Sequence, residues 1–236
     1  MLDSIAPSLA ELMASRNPGP PPRLGIRYDA EGHFLQEPGN TVVCHLVPNS
    51  PSETALLRVR ERMMALPGAN GLAFTPPASL HMTLFQGIID SRRQRPYWPS
   101  GIPLDTKIDD MTRKFMSRLD GFDGCGPFEI RAVEVTPKGM VVEGATEADR
   151  QAMRDWRDKL ADALGFRQPD HDSYVFHITL AYVLRGIPDE HIAEWQAFLS
   201  ESLAYLERAA PLIELKNPAF CRYRSVERFE ELLVLA

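Results

Sequence analysis

The sequence predicts an α+β protein assembled from one strand, helix, loop, strand unit used twice. Three observations carry that expectation. Short runs of apolar residues with strand character alternate with stretches of helical spacing along most of the chain. Two segments open with a helix cap, Ser50-Pro51-Ser52-Glu53 and Thr146-Glu147-Ala148-Asp149. From Ser50 to His81, and again from Thr146 to His177, is 31 residues, and each interval ends on a His-x-Thr-Leu strand.

Taken in order, Ile5, Leu9, Leu12 and Met13 recur at helical spacing before Asn17 to Pro22 breaks the pattern, so residues 1–22 read as a peripheral helix and a stiff proline linker ahead of one domain over 23–236. Thr41 to Val47 reads as a buried strand. The helix opened at Ser50 runs to about Leu66, where Pro67-Gly68 stops it, and Ser79 to Phe85 alternates as a strand. Residues 87–104 form a long irregular connection before a helix at about 105–119. Phe128 to Val135 and Gly139 to Glu143 form a hairpin. The helix opened at Thr146 carries an apolar stripe of Met153, Trp156, Leu160 and Leu164 and ends at Gly165. Tyr174 to Val183 is the next strand, Pro188 to Ala209 a long amphipathic helix, and Leu212 to Leu215, Ala219 to Tyr223 and Leu232 to Leu235 are short strands.

Composition bounds the function. The chain has 236 residues, 44% hydrophobic and 25% charged, enough for a full globular core, and a net charge of -6. That charge argues against wrapping a long nucleic acid, whose binding is driven by massed Lys and Arg, and leaves a small or terminal phosphate open. Cys44, Cys125 and Cys221 lie far apart without metal or disulfide spacing. Met1 to Ile5 lacks a basic leader, and no apolar stretch is long enough to span a bilayer, so a cytoplasmic protein without a membrane partner is expected.

The chemistry sits on the two repeated strands. In a strand residues i and i+2 share a face, so His81 points with Thr83, and His177 with Thr179, while Leu80, Met82, Leu84, Phe176, Ile178 and Leu180 point the other way. Six histidines and nine threonines in this length would give about 0.2 His-x-Thr pairs by chance, and there are two. Imidazole can take a proton in one position and give one in the other near neutral pH. Threonine hydroxyls can hold the non-bridging oxygens of a phosphate.

In these residues the sequence resembles the two-histidine (2H) phosphoesterase superfamily, marked by two His-x-Thr/Ser motifs each followed by hydrophobic residues. His81-Met82-Thr83-Leu84 and His177-Ile178-Thr179-Leu180 match both motifs, and the resemblance spans roughly residues 40–235. Pro38 to His45 and Pro218 to Cys221 resemble a bacterial, cyclic-phosphodiesterase-like branch known only as a domain of unknown function. The resemblance implies a duplicated bilobal fold, with two antiparallel sheets related by a pseudo-twofold axis, helices outside and the active cleft between the lobes. It implies metal-independent hydrolysis of a cyclic or 2′-linked phosphodiester of nucleotide or RNA-end type. His81 and His177 would then be the acid and base, Thr83 and Thr179 the phosphate ligands, with no cofactor, in a monomer.

Other residues are candidates by position. Tyr97 and Trp98, beside Arg92, Arg93 and Arg95, could form a lid that stacks a base, although a surface loop with a partly buried Trp explains them as well. Tyr182 follows the second motif with the parity of the core face, so a site role needs a strand irregularity. Arg222, Tyr223 and Arg224 lie in a late strand. His45 and His171 are candidate neighbours of the cleft, ahead of His33 and His191. Two rival functions remain: a zinc hydrolase, for which neither motif histidine has a third ligand at close spacing, and a module that binds nucleotides or RNA ends without turnover.

Overall fold

A computed structural model of the protein describes residues 5–235; residues 1–4, where most of the leader reading falls, and residue 236 lie outside the described residues. A short helix α1 (Pro7–Ala10) precedes β1 (Gly39–His45), α2 (Pro51–Met64), β2 (Leu72–Phe74) and β3 (His81–Ile89). Then come α3 (Ile108–Leu119), β4 (Ile130–Thr136), β5 (Gly139–Gly144), α4 (Glu147–Leu164), β6 (His177–Thr179) and β7 (Ala181–Val183). The chain closes with α5 (Ile192–Ala209), β8 (Ala219–Tyr223) and β9 (Phe229–Val234).

The strands form one seven-stranded antiparallel sheet in the order β4-β5-β6-β3-β1-β8-β9 and a second sheet of two strands, β2-β7. The expected pair of equivalent sheets is therefore one large sheet and one small one. The strands merge because β3 and β6 pair with each other at Met82 and Ile178. The small sheet arises because β6 is only three residues long. After Thr179 the amides of Leu180 and Ala181 both donate to the Lys138 carbonyl, and the chain steps out of the large sheet to pair with β2. Gly139, opposite Thr179, has φ +147°, and a Cβ there would collide with the Ile178 carbonyl, so only glycine lets β5 approach β6 this closely.

One face of the sheet carries Val42, Cys44, Met82, Leu84 and Ile178, all fully buried. α3, α4 and α5 pack against the sheet and α2 packs on α5. The helix starts follow their sequences. Ser50 Oγ accepts from the Glu53 amide at 3.0 Å, with Pro51 in the first turn, while the Glu53 carboxylate reaches one residue further back, to the Asn49 amide. Thr146 and Asp149 form a reciprocal capping box, and Gly165 ends α4 in the left-handed region.

The N-terminal segment is not peripheral. Leu9 is fully buried, Ser8 Oγ donates to Glu134, and Leu12 and Ala14 exchange backbone hydrogen bonds with Ile187. Its apolar residues had a core to bury against that their helical spacing could not reveal. Leu212 to Leu215, expected as a strand, makes only isolated bridges, to Leu46 just past β1 and to Ile130 of β4. Among the described residues no helix is long and apolar enough to cross a membrane.

Candidate active site

Burial alternates along β3 and β6 as the period of a strand requires. Met82, Leu84 and Ile178 are inside, His81, Thr83 and Thr179 are half-buried, and His177 is exposed. With Met82 opposite Ile178 in antiparallel register, His81 comes opposite Thr179 and Thr83 opposite His177. The histidines therefore lie on a diagonal, where Cα atoms of an antiparallel pair are about 7–8 Å apart. All four side chains line one cavity of about 230 Å³.

Both imidazoles are held in the same way. His81 Nδ1 lies 2.6 Å from the Ser79 carbonyl and His177 Nδ1 lies 2.9 Å from the Val175 carbonyl, in each case two residues upstream. A carbonyl can only accept, so Nδ1 carries the hydrogen and Nε2 is left with the lone pair in each neutral ring. Their surroundings differ. The His81 ring lies 4.1 Å from the Phe229 ring and 6.0 Å from that of His45, its partner across β1 and β3. Burial pushes the His81 pKa down to about 4, and the charges of His45 and His177 add to this against the pull of the Ser79 carbonyl. His177 has Tyr174 at 6.2 Å and otherwise faces solvent.

The walls come from outside the two motif strands. Tyr174, Tyr182 and Tyr223 line the cavity, and burial pushes the Tyr174 hydroxyl up to about 12 and the other two upward, so all three remain neutral donors near pH 7. Arg27 is the one Lys or Arg lining the cavity among the described residues. Its Nε donates to the buried Glu37 at 2.6 Å, and its guanidinium lies 5.3 Å from the Tyr182 ring. The floor can accept and release protons, the threonines and tyrosines can donate to an anion, and Arg27 adds a fixed positive charge. Among the described residues, the set of three side chains close enough to share a metal ion is Asp158, His171 and Asp172, which includes neither motif histidine.

Residues 27–141 match the family model 2H-phosphodiest, described as a domain of unknown function (DUF1868). Residues 27–141 belong to this family. The family match contains the first motif and ends before the second. The solved structure of a conserved protein of unknown function from Agrobacterium tumefaciens, 47% identical, extends the likeness to 98% of this chain and 99% of that one, with a TM-score of 0.96. Nothing among the curated proteins matches.

Within this chain the other candidates fall unevenly. Tyr182 reaches the cleft because the chain changes sheets after Thr179, which supplies the irregularity its parity demanded. Trp98 does not serve a lid: it is 1% exposed, and its indole donates to the Pro103 carbonyl, as an apolar ring in a proline-rich loop packs inward. Tyr97 is outside the cavity lining, with its face taken by Arg92 at 3.9 Å. Arg222 points away from the cleft into a two-toothed pair with Glu230, and it lines a neighbouring cavity with Arg224. Its neighbour Tyr223, of opposite strand parity, is the cleft residue.

His45 sits behind His81, its Nδ1 3.1 Å from Glu231 but off the hydrogen-bond direction. His171 is buried against Asp158, His33 pairs with Asp29, and His191 precedes α5. Sequence reasoning missed Arg27, Tyr174 and Phe229. Arg27 lies in an aperiodic stretch with no local signal, and only Tyr174, three residues before the second motif, had a position that could have drawn notice.

Proposed function

We propose that the chain is a metal-independent phosphodiesterase that hydrolyses a small cyclic or 2′-linked phosphodiester of nucleotide or RNA-end type, with His81 and His177 as its acid and base. The observation that carries this reading is the shared hold on Nδ1, which leaves two Nε2 atoms free on the floor of one cleft with a threonine beside each.

We assign the base to His81, which burial holds neutral at pH 7, and the acid to His177, which is open to solvent. Water attacks phosphorus as one of its protons passes to His81 Nε2. The bond from phosphorus to the leaving ribose oxygen breaks as His177 Nε2 delivers a proton to that oxygen. The product is a phosphomonoester with a free hydroxyl, and proton exchange with solvent, open at His177, resets the pair. Thr83 and Thr179 donate to the non-bridging oxygens. Each proton transfer is typically worth about 10² to 10⁴ in rate, and positioning and electrostatics supply most of the rest.

An internal duplication accounts for the arrangement. About the boundary between β6 and β3, β5 corresponds to β1 and β4 to β8, and a capped helix links β5 to β6 as another links β1 to β3. Residues 23–236 then act as one bilobal domain and the monomer suffices, since Arg27 and both motifs meet in one cavity.

The test is a panel of 2′,3′-cyclic nucleotides, 2′-5′ linked dinucleotides and cyclic ADP-ribose phosphates assayed in EDTA. At least one should turn over, and His81→Ala and His177→Ala should each lower that turnover by about 10² to 10⁴. Stoichiometric zinc with activity lost to chelation would replace this reading by the zinc hydrolase. Binding of cyclic or 2′-phosphates without turnover of any substrate would replace it by the binding module.

A further inference from the structure

Beside the cleft, Arg23, Arg27, Arg92 and Glu37 form a cluster with a surplus of positive charge, in a chain whose net charge is -6. Glu37, with 1% of its side chain exposed, is shared by Arg27 at 2.6 Å and Arg23 at 3.4 Å and also accepts from Ser91 Oγ. One enclosed carboxylate thus faces two guanidinium groups. Arg92 adds a third cation. It makes no ion pair among the described residues, its Nη2 donates to Gln86 Oε1 at 2.8 Å, and its Nε is enclosed without a partner. Burial lowers its pKa, and the positive charge of Arg23 works in the same direction, as expected of cations gathered without enough counter-charge.

These groups adjoin the proposed reaction centre. Gln86, which Arg92 holds, lines the cavity together with Arg27 and Tyr223. Gln86 follows Thr83 by three residues on β3, roughly 10 Å along an extended strand. Desolvated guanidinium groups of this kind recognise phosphate oxygens in fixed, often forked geometry. Asp170 is the acidic group that lines the cavity nearby, and it leaves the cluster of Arg23, Arg27, Arg92 and Glu37 positive.

We infer that the substrate carries a second anionic group, a terminal phosphomonoester about one nucleoside away from the scissile phosphodiester, which docks on Arg92 and Arg27 with Arg23 behind them. This rests on the phosphodiesterase reading and narrows its substrate class. The site would then select a nucleotide phosphorylated at both ends over one with the cyclic phosphate alone.

Two measurements keep this inference separate from that reading. In the first, isothermal titration compares a nucleoside 3′,5′-bisphosphate with the 3′-monophosphate on the full-length protein, which needs no turnover. The bisphosphate should bind roughly 10- to 100-fold more tightly, and the ratio should shrink with added salt. Arg92→Met should reduce it to within about threefold of unity. Arg27→Lys, which keeps a charge beside Glu37 and so avoids leaving that carboxylate unpaired, should reduce it less. In the second, kcat/KM for a 2′,3′-cyclic nucleotide with and without a 5′-phosphate should show the same ratio and the same loss. His81→Ala and His177→Ala should lower turnover by about 10² to 10⁴ yet keep the binding ratio. Equal affinity for the two ligands in the wild type, or a ratio unchanged in a folded Arg92→Met protein, would overturn the inference.

Discussion

His81 and His177 occupy matching places in matching strands, and each gives its Nδ1 hydrogen to the carbonyl two residues upstream. Yet one imidazole lies against Phe229 and His45, supported by the β1, β8 and β9 side of the sheet, and the other lies open at the rim. The comparison teaches that a duplicated motif supplies two equivalent groups and the surroundings make them unlike. Two identical side chains can divide acid and base duties only if their environments push their protonation apart. Here the packing around the first motif does so.

The comparison can be broken most severely by deleting either ring. His81→Ala and His177→Ala should each lower kcat by about 10² to 10⁴. The double variant should be little worse than either single one, because groups that act as a unit are not additive. Steady-state kinetics in EDTA on the best cyclic phosphodiester reads this directly, and a single variant with full rate would separate the two motifs. Thr83→Val and Thr179→Val should follow, each costing about ten- to a few hundredfold in kcat through the loss of one donor to the developing charge. Unequal losses would show that the two halves of the phosphate site are not equivalent.

Opening the enclosed side sharpens the contrast. As a base His81 must be neutral, so wild-type kcat/KM should hold as pH falls below 6.5 and decline only on approach to about 4. Phe229→Ala admits water to the ring, raises its pKa toward the ordinary value and should move that acidic limb upward. Stability follows the same linkage. The unfolded chain binds a proton at His81 below about 6.5 and the folded one only near 4, so stability falls as pH drops through that window. His81→Gln should lose less stability than the wild type between pH 7 and pH 4.5 in chemical denaturation. The smallest effect compares the two helix starts. Thr146→Ala removes a reciprocal box and should cost about 1 kcal/mol in urea unfolding, with Ser50→Ala no greater.

Most of the two segments that carry the His-x-Thr motifs was legible because their signals are local. Ser50-Pro51 and Thr146 with Asp149 announce helix starts, and His81, Thr83, His177 and Thr179 share faces by strand parity alone. What stayed hidden depends on long-range contacts. Nothing near Tyr182 signals that β7 leaves the large sheet, since that step is forced by the shared Lys138 carbonyl and by pairing with β2. Leu72 to Phe74 is too short to read as a strand. Leu9 gave no sign of the core it enters. Arg27 and Phe229 reach the cleft from 54 residues before the first motif and 52 after the second, from segments without periodicity or turn chemistry. Trp98 misled because an aromatic beside arginines looks the same in a lid as in a packed loop.

The measurement closest to the central claim is a pH titration of the imidazole nitrogens by ¹⁵N NMR in the free protein. His81 should appear near pH 7 as a neutral ring protonated on Nδ1 with an unprotonated Nε2 and take its second proton only near pH 4, and His177 should keep its hydrogen on Nδ1 throughout. A neutral ring carrying its hydrogen on Nε2 instead of Nδ1 at either position, or a His81 midpoint at the ordinary value near 6.5, would contradict the account.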